Sequence, residues 1–215
     1  MTRQYYVLGI LLIAAAFVAN LLAYSHLPNL VPTHWNFKGA ADGYSPKWAV
    51  FLIGPGFMAA VMILFRFLPW LSPKQWEVDA FRSTYLYIML VLLCLVAYLN
   101  ALTLLAGLGR PINVGRATIG GICLLFALLG NVLGKVRRNF YIGVRTPWAL
   151  ASERVWNATH RLAAKTFVVA GLLGLALTAV GLIGWPTFVP LMVGALIPVV
   201  YSLVFYKQLE RNGQL

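Results

Sequence analysis

The sequence predicts an all-α, polytopic integral membrane protein with six transmembrane helices and both termini in the cytoplasm. Hydrophobic residues make up 61% of the 215-residue chain and charged residues only 10%, whereas a soluble domain is about half apolar and a quarter charged. The mean hydropathy is +0.81. The apolar residues also fall into six runs, and each run approaches the ~20 residues that a spanning helix needs. These three observations exclude an ordinary soluble domain.

The runs differ in their internal signals. The first begins after Arg3 and is followed by no small-residue cleavage pattern, so we expect a retained helix and not a signal peptide. In the second run, Gly54-Pro55-Gly56 predicts a kink or an unwound turn. The last two runs are expected to form a tight hairpin joined by Trp185 and Pro186. The six runs cover approximately residues 5–24, 48–68, 83–108, 116–134, 166–184 and 187–206.

The basic residues predict the orientation. If the N-terminus lies inside the cell, the inner segments carry 13 of the 17 lysines and arginines, and the outer segments carry 4. Cytoplasmic loops are enriched in Lys and Arg, so the count favours cytoplasmic termini. Basic residues placed in short loops between apolar runs indicate contact with anionic lipids, with no direct binding of nucleic acid.

The chain is expected to divide into two units. Residues 1–82 hold the first two spans and a structured outer loop, 25–47. Residues 83–215 form a four-span region with a basic cytoplasmic loop, 135–165, which holds seven of the basic residues and one acid.

The outer loop carries turn signals and two histidines. Its prolines and Asp42-Gly43 predict a compact structure in place of a flexible linker. His26, His34 and Asp42 form a weak pattern for a metal site. The alternative is that His34 and Asn36 hydrogen-bond the loop itself, and we assign no metal.

Signatures of catalysis are scarce. The chain has five acids and three histidines, and it lacks His-Glu-x-x-His, Gly-x-Ser-x-Gly and a Gly-rich phosphate loop. No carboxylate lies near the centre of a predicted span, which argues against a proton-coupled transporter of the usual kind. We therefore assign no catalytic residue and no cofactor.

The inner loop allows two interpretations. Thr146-Pro147 predicts a helix start, with Thr as the N-cap and Pro at the first helical position. Glu153, Trp156 and His160 then follow on one helical face. The pattern alone favours an interfacial helix, with its tryptophans among the lipid headgroups and its cations facing phosphates. The other interpretation is a docking surface or ligand pocket built from the polar side chains.

Two motifs occur in a fixed order along the polar segments. The inner motif runs from Gly130-Asn131 through 143–148 (GVRTPW) to Thr159-His160-Arg161. It closely resembles the signature of the SdpI family of bacterial immunity proteins. The outer motif runs from Leu27-Pro28 through 33–36 (THWN) to Asp42-Gly43-Tyr44. It resembles the domain of unknown function that often precedes that signature.

The resemblance implies a multi-pass protein of the bacterial plasma membrane that protects a producing cell from a secreted toxic peptide. In its best-known case the family also implies signalling, in which a soluble repressor is held at the membrane when toxin is present. The implied partners are a secreted peptide toxin and a cytoplasmic repressor, with anionic lipids at the basic loops. The alternative is a membrane enzyme or transporter that acts on a lipid-linked or small substrate through a pocket of Arg145, Glu153 and His160.

The resemblance and the residue patterns select two sets of candidate site residues. The cytoplasmic binding or signalling set comprises Asn131, Asn139, Gly143, Arg145, Thr146, Pro147, Trp148, Glu153, Trp156 and His160. The outer binding set comprises Pro32, His34, Trp35, Asn36, Gly39 and Asp42. The expected mechanism is a population shift, in which toxin on the outer side biases the inner loop between two arrangements. One of these arrangements captures a cytoplasmic protein.

Overall fold

The computed structural model describes residues 2–36 and 40–215, and within them six helices are long and apolar enough to cross a membrane. The predicted polytopic all-α fold is therefore confirmed. Helices suit a bilayer because they satisfy their own backbone hydrogen bonds. The six are α1 (Thr2–Tyr24), the broken helix formed by α2 (Ala49–Phe51) and α3 (Phe57–Leu71), α4 (Arg82–Gly107), α5 (Val114–Leu133), α7 (Glu153–Ala179) and α8 (Trp185–Arg211).

Short elements lie at the two ends of the bundle. At one end, which we call the hairpin end, strands β1 (Leu30–Trp35) and β2 (Ala41–Pro46) pair antiparallel. At the other end, the loop end, a short helix α6 (Pro147–Ala151) precedes α7. Two 3₁₀ turns, Lys74–Trp76 and Asp79–Phe81, connect α3 to α4.

The hairpin is fixed to the bundle by apolar side chains. Val31 is fully buried and packs in one cluster with Leu27, Val50 and Leu104. Gly107 allows this approach, because a Cβ there would lie 2.8 Å from a methyl carbon of Leu27. The structured outer loop that the sequence predicts is thus a hairpin seated on the ends of the helices.

The predicted kink in the second span is a π-helical turn, Leu52–Gly56. Pro55 has no N–H, so the carbonyl of Val50, five residues earlier, lacks its π-helical donor. The Asn20 amide donates to that carbonyl at 2.8 Å, and Asn100 donates to the Asn20 oxygen at 2.8 Å. Two buried asparagines therefore compensate for a proline inside a membrane span.

Glycines bring α7 close to α5. A Cβ on Gly130 would lie 2.7 Å from the backbone nitrogen of Val168, and one on Gly171 would lie 2.6 Å from the carbonyl oxygen of Cys123. Such contacts leave no room for a side chain, so these glycines set the helix spacing.

The boundaries of the fifth span differ from the prediction. The basic segment after 152 is not a separate interfacial helix, because α7 runs without a break from Glu153 to Ala179. Gly181 and Gly184 follow α7 with φ of 87° and 83°. They make the turn into α8. Trp185, predicted as part of the connection, is the first residue of α8.

Candidate functional site

The predicted loop 135–165 is divided by the start of α7 at Glu153. From here on, the basic loop means residues 134–152, which are anchored to the first turns of α7. Trp156 is fully buried, and its indole N–H donates to the carbonyl of Val136 at 2.8 Å. A buried indole N–H requires such an acceptor. The bond fixes the start of the loop, and it places Trp156 inside the protein instead of among lipid headgroups.

Asn139 holds the next turn together. Its side chain is fully buried. The amide nitrogen donates to the carbonyls of Arg137 and Ile142, both at 2.9 Å. The amide oxygen accepts from the N–H of Tyr141 at 2.7 Å and from that of Ile142 at 2.8 Å. These four bonds use the full capacity of the amide, so Asn139 determines the local backbone.

His160 holds the middle of the loop. Its Nδ1 lies 2.9 Å from the carbonyl oxygen of Trp156, and its Nε2 accepts from the N–H of Val144 at 3.0 Å. A carbonyl only accepts and an amide N–H only donates, so these partners require a neutral imidazole with its proton on Nδ1. The ring is fully buried and stacks on Trp156 with centroids 4.0 Å apart.

Gly143 makes the contact with His160 possible. Its φ is +117°, which L side chains rarely adopt. A Cβ at this position would also lie 2.1 Å from Nε2 of His160. The backbone conformation and the close approach therefore both require glycine.

Thr146 ties the end of the loop to α8. It is the N-cap of α6, and its hydroxyl accepts from the N–H of Ala149 at 3.2 Å. With Pro147 at the first helical position, the predicted helix start is confirmed. The Thr146 hydroxyl also lies 2.8 Å from that of Ser202, which donates to the carbonyl of Val199 at 2.6 Å. Thr146 is therefore the donor to Ser202.

The other predicted residues of the inner set face outward. Arg145 is exposed, donates to the carbonyl of Phe140 and lies over its ring. Glu153 and Asn131 are also exposed, and Trp148 is half-buried. No hydrogen bond or ion pair in the described part of the chain joins Arg145, Glu153 and His160. The structure thus separates a buried scaffold, formed by Asn139, Trp156 and His160, from an exposed rim that includes Arg145 and Glu153. Arg145, Glu153 and His160 are not joined into one hydrogen-bonded cluster.

At the hairpin end, His34 and Asp42 form an exposed pair. Nδ1 of His34 lies 2.5 Å from Oδ1 of Asp42, with side-chain exposures of 72% and 43%. Gly43 accommodates the histidine, because a Cβ there would lie 2.8 Å from the His34 Cβ. Among residues 2–36 and 40–215, no group of three or more His, Cys, Asp or Glu side chains is placed to hold a metal ion.

The remaining outer residues shape the hairpin turn. Pro32 pairs with Tyr44 and Trp35 pairs with Ala41. The side-chain oxygen of Asn36 accepts from the backbone N–H of residue 40 at 3.2 Å, as expected for an asparagine that bonds its own loop. Gly39 lies outside the described residues.

Three residues that hold the basic loop in place could not be identified from the sequence. Val136 acts through its backbone carbonyl, which no side-chain pattern reveals. Ser202 lies within an apolar run, 56 positions from its partner Thr146. Arg138 donates to the carbonyl of Leu150 at 3.3 Å and lies 5.0 Å from the ring centroid of Trp76. Its basic charge gives no indication that it braces the loop against the α3–α4 connection.

The fold and these contacts define a multi-pass membrane protein with a folded hairpin at one end and a polar loop at the other. Residues 135–202 match the SdpI/YfhL protein family, and residues 11–59 match a domain of unknown function, DUF1648. The first match runs from the start of the basic loop to Ser202, so it includes both partners of the Thr146–Ser202 bond.

A curated relative extends the similarity. The chain is 29% identical over 167 residues to the "Immunity protein SdpI" of Bacillus subtilis (strain 168), an alignment that covers 78% of each chain. No solved structure matches. The resemblance to the SdpI family that the motifs predict is confirmed.

Proposed function

We propose that this protein protects a bacterial cell from a secreted toxic peptide. The observation that carries the proposal is the similarity, over 78% of the chain, to a protein named for immunity. The hairpin supports a role in contact with a peptide, because its exposed His34–Asp42 pair offers hydrogen-bonding groups and the same hairpin exposes Tyr44.

The loop end is proposed as the signalling element, with a cytoplasmic repressor as its partner. Asn139, Trp156 and His160 form a buried scaffold. Around that scaffold the loop exposes Arg145, and the first residue of α7, Glu153, is also exposed. A population shift would favour the arrangement that captures the partner only if toxin binds the two arrangements with different affinity.

The proposal requires the hairpin outside the cell and both termini in the cytoplasm. The background variant carries Cys94→Ser and Cys123→Ala. In this background, Gly39→Cys should react with an impermeant maleimide in whole cells. A cysteine at the exposed Ala151 should react only after permeabilisation. The reverse pattern would contradict the orientation and the roles assigned to the two ends.

Protection is tested by survival. A sensitive strain is challenged with the peptide that the producing bacterium secretes, with and without this gene. Expression should raise survival well above the empty vector. Equal survival at verified membrane insertion would contradict the immunity function.

Variants of the exposed rim test the loop end. Arg145→Ala or Glu153→Ala should remove capture of the cytoplasmic partner while the protein stays inserted. Arg154→Gln is the matched control, because Arg154 is also exposed and, among the described residues, hydrogen-bonds Gln214 alone, at 3.3 Å. If Arg154→Gln together with Arg161→Gln causes the larger loss, attraction to anionic lipids explains the loop better than a binding site.

A further inference from the structure

A polar cavity of about 480 Å³ opens at the loop end, between the start of α4 and the beginning of the basic loop. It belongs neither to the buried scaffold nor to the exposed rim. The polar side chains among its lining residues are Asp79, Arg82, Ser83, Thr84, Lys135 and Arg137.

The lining has an excess of positive charge. Arg82 forms an ion pair with Asp79 at 3.1 Å. The side chains of Lys135 and Arg137 make no hydrogen bond or ion pair with any described residue. Three cations face one carboxylate, so the lining carries a net charge of about +2. Two unpaired cations at one cavity repel each other, and an anion would relieve that repulsion.

The two unpaired cations are held on fixed backbone. Val136 lies between them with an exposed fraction of 1%, and its carbonyl accepts from the buried Trp156. Residues 135 and 137 are both exposed, so their side chains turn away from the core that holds Val136. On the side of α4, the lining residue Phe81 is buried. The backbone on both sides of the cavity is therefore held by buried residues, which reduces the entropy that binding would cost.

We propose that this cavity binds the phosphate group of an anionic ligand. A phosphate monoester or diester carries one to two negative charges, which complements the lining. Its oxygens accept hydrogen bonds from guanidinium, ammonium and hydroxyl groups, and the cavity supplies all three. A volume of about 480 Å³ lies within the roughly 300–1,000 Å³ of small-molecule sites, so the cavity has room for more than a bare phosphate.

The phosphate has two possible sources, a lipid headgroup or a soluble phosphate compound. Basic pockets between transmembrane helices accept anionic headgroups. Trp70, at the end of α3, is 80% exposed and suits the headgroup level of a bilayer. The proposal is independent of the immunity function, because it concerns ligand binding by the purified protein.

The test uses the full-length protein purified in detergent. Phosphatidylglycerol, phosphatidylcholine and inorganic phosphate are added in turn, and binding is measured by native mass spectrometry and by the shift in unfolding temperature. The pocket variant is Lys135→Gln with Arg137→Gln. The matched control is Arg161→Gln with Lys165→Gln, which removes the same charge from exposed positions on α7.

The pocket variant should bind phosphatidylglycerol about 25-fold more weakly, at roughly fivefold per cation near an anionic group, and the control should bind as the parent does. Stabilisation by phosphatidylglycerol alone assigns the phosphate to a lipid. Equal stabilisation by inorganic phosphate assigns it to a soluble compound, and both results support the site. Equal weakening in the two variants, or none in the pocket variant, would overturn it. Lys135→Arg with Arg137→Lys keeps the charge and should retain binding, which excludes misfolding as the cause.

Discussion

Gly143→Ala tests whether the loop scaffold depends on the contact between Gly143 and His160. An alanine Cβ would lie 2.1 Å from Nε2 of His160, so the loop must move. A residue held at this positive φ costs about 1–3 kcal/mol in strain. Loss of the Val144 N–H would leave a buried ring nitrogen unpaired, at a cost of about 1–3 kcal/mol. The loop arrangement should therefore be destabilised by roughly 2–6 kcal/mol.

The expected damage is local, so the assay is hydrogen exchange of the amides from 139 to 146. Exchange through local opening accelerates in proportion to the opening equilibrium. A loss of 2 kcal/mol corresponds to about 30-fold faster exchange, since ~1.4 kcal/mol is tenfold. The amide of Val144 should show the largest change, because it loses its acceptor.

Gly134→Ala provides the control. Gly134 lies at the start of the same loop with φ of −64°. A Cβ there meets only the Ala164 Cβ, at an ordinary contact distance of 3.7 Å. This variant should exchange as the parent does. If the amides from 139 to 146 exchange as slowly in Gly143→Ala as in Gly134→Ala, the contact with His160 does not hold the loop. The proposed scaffold would then be wrong.

Three further predictions concern other parts of the molecule. Gly54→Ala should lower the unfolding temperature, because its Cβ would lie 2.2 Å from Oδ1 of Asn100; adding Asn100→Ala should cost less than the sum of the two single losses, and strict additivity would argue against the contact. His34→Ala should change stability by no more than ~0.5 kcal/mol, as at other exposed sites, yet reduce survival under toxin; full survival would make the hairpin a structural lid. Trp156→Phe should destabilise the loop by about 1–3 kcal/mol, because the Val136 carbonyl loses its donor; unfolding and exchange identical to the parent would exclude that bond as an anchor.

The sequence predicts the spans because each needs only local information. A run of about 20 apolar residues identifies a helix that crosses a bilayer. Helix ends were predicted less well, since hydropathy does not mark where a helix leaves the membrane. α7 begins at Glu153, thirteen residues before the predicted span at 166. Cap chemistry is local as well, so the start at Thr146 was predicted correctly.

The loop scaffold could be predicted only in part. Helical spacing placed Glu153, Trp156 and His160 on one face. Two of them are buried, but Glu153 is exposed. The spacing could not reveal that a preceding segment folds over this face, because the bond between Val144 and His160 spans 16 positions. The division of the chain at residue 82 remains a prediction. One core cluster contains residues from both sides of that point, among them Phe65 and Trp156.

Hydrogen bonding limits how the loop can rearrange. Both nitrogens of His160 are engaged, and the ring is buried against Trp156. A second arrangement must therefore break the Val144 bond or carry the ring with it. The ring is carried on α7, a helix of 27 residues. Near the far end of α7, Arg116 of α5 donates to the carbonyl of Thr178 at 2.8 Å. If toxin acts at the hairpin end, a shift of α7 as a rigid element would move both scaffold rings together. That shift would move the loop as a unit, with the hydrogen bonds of the buried scaffold intact. A cytoplasmic partner would then distinguish the two positions of the whole loop.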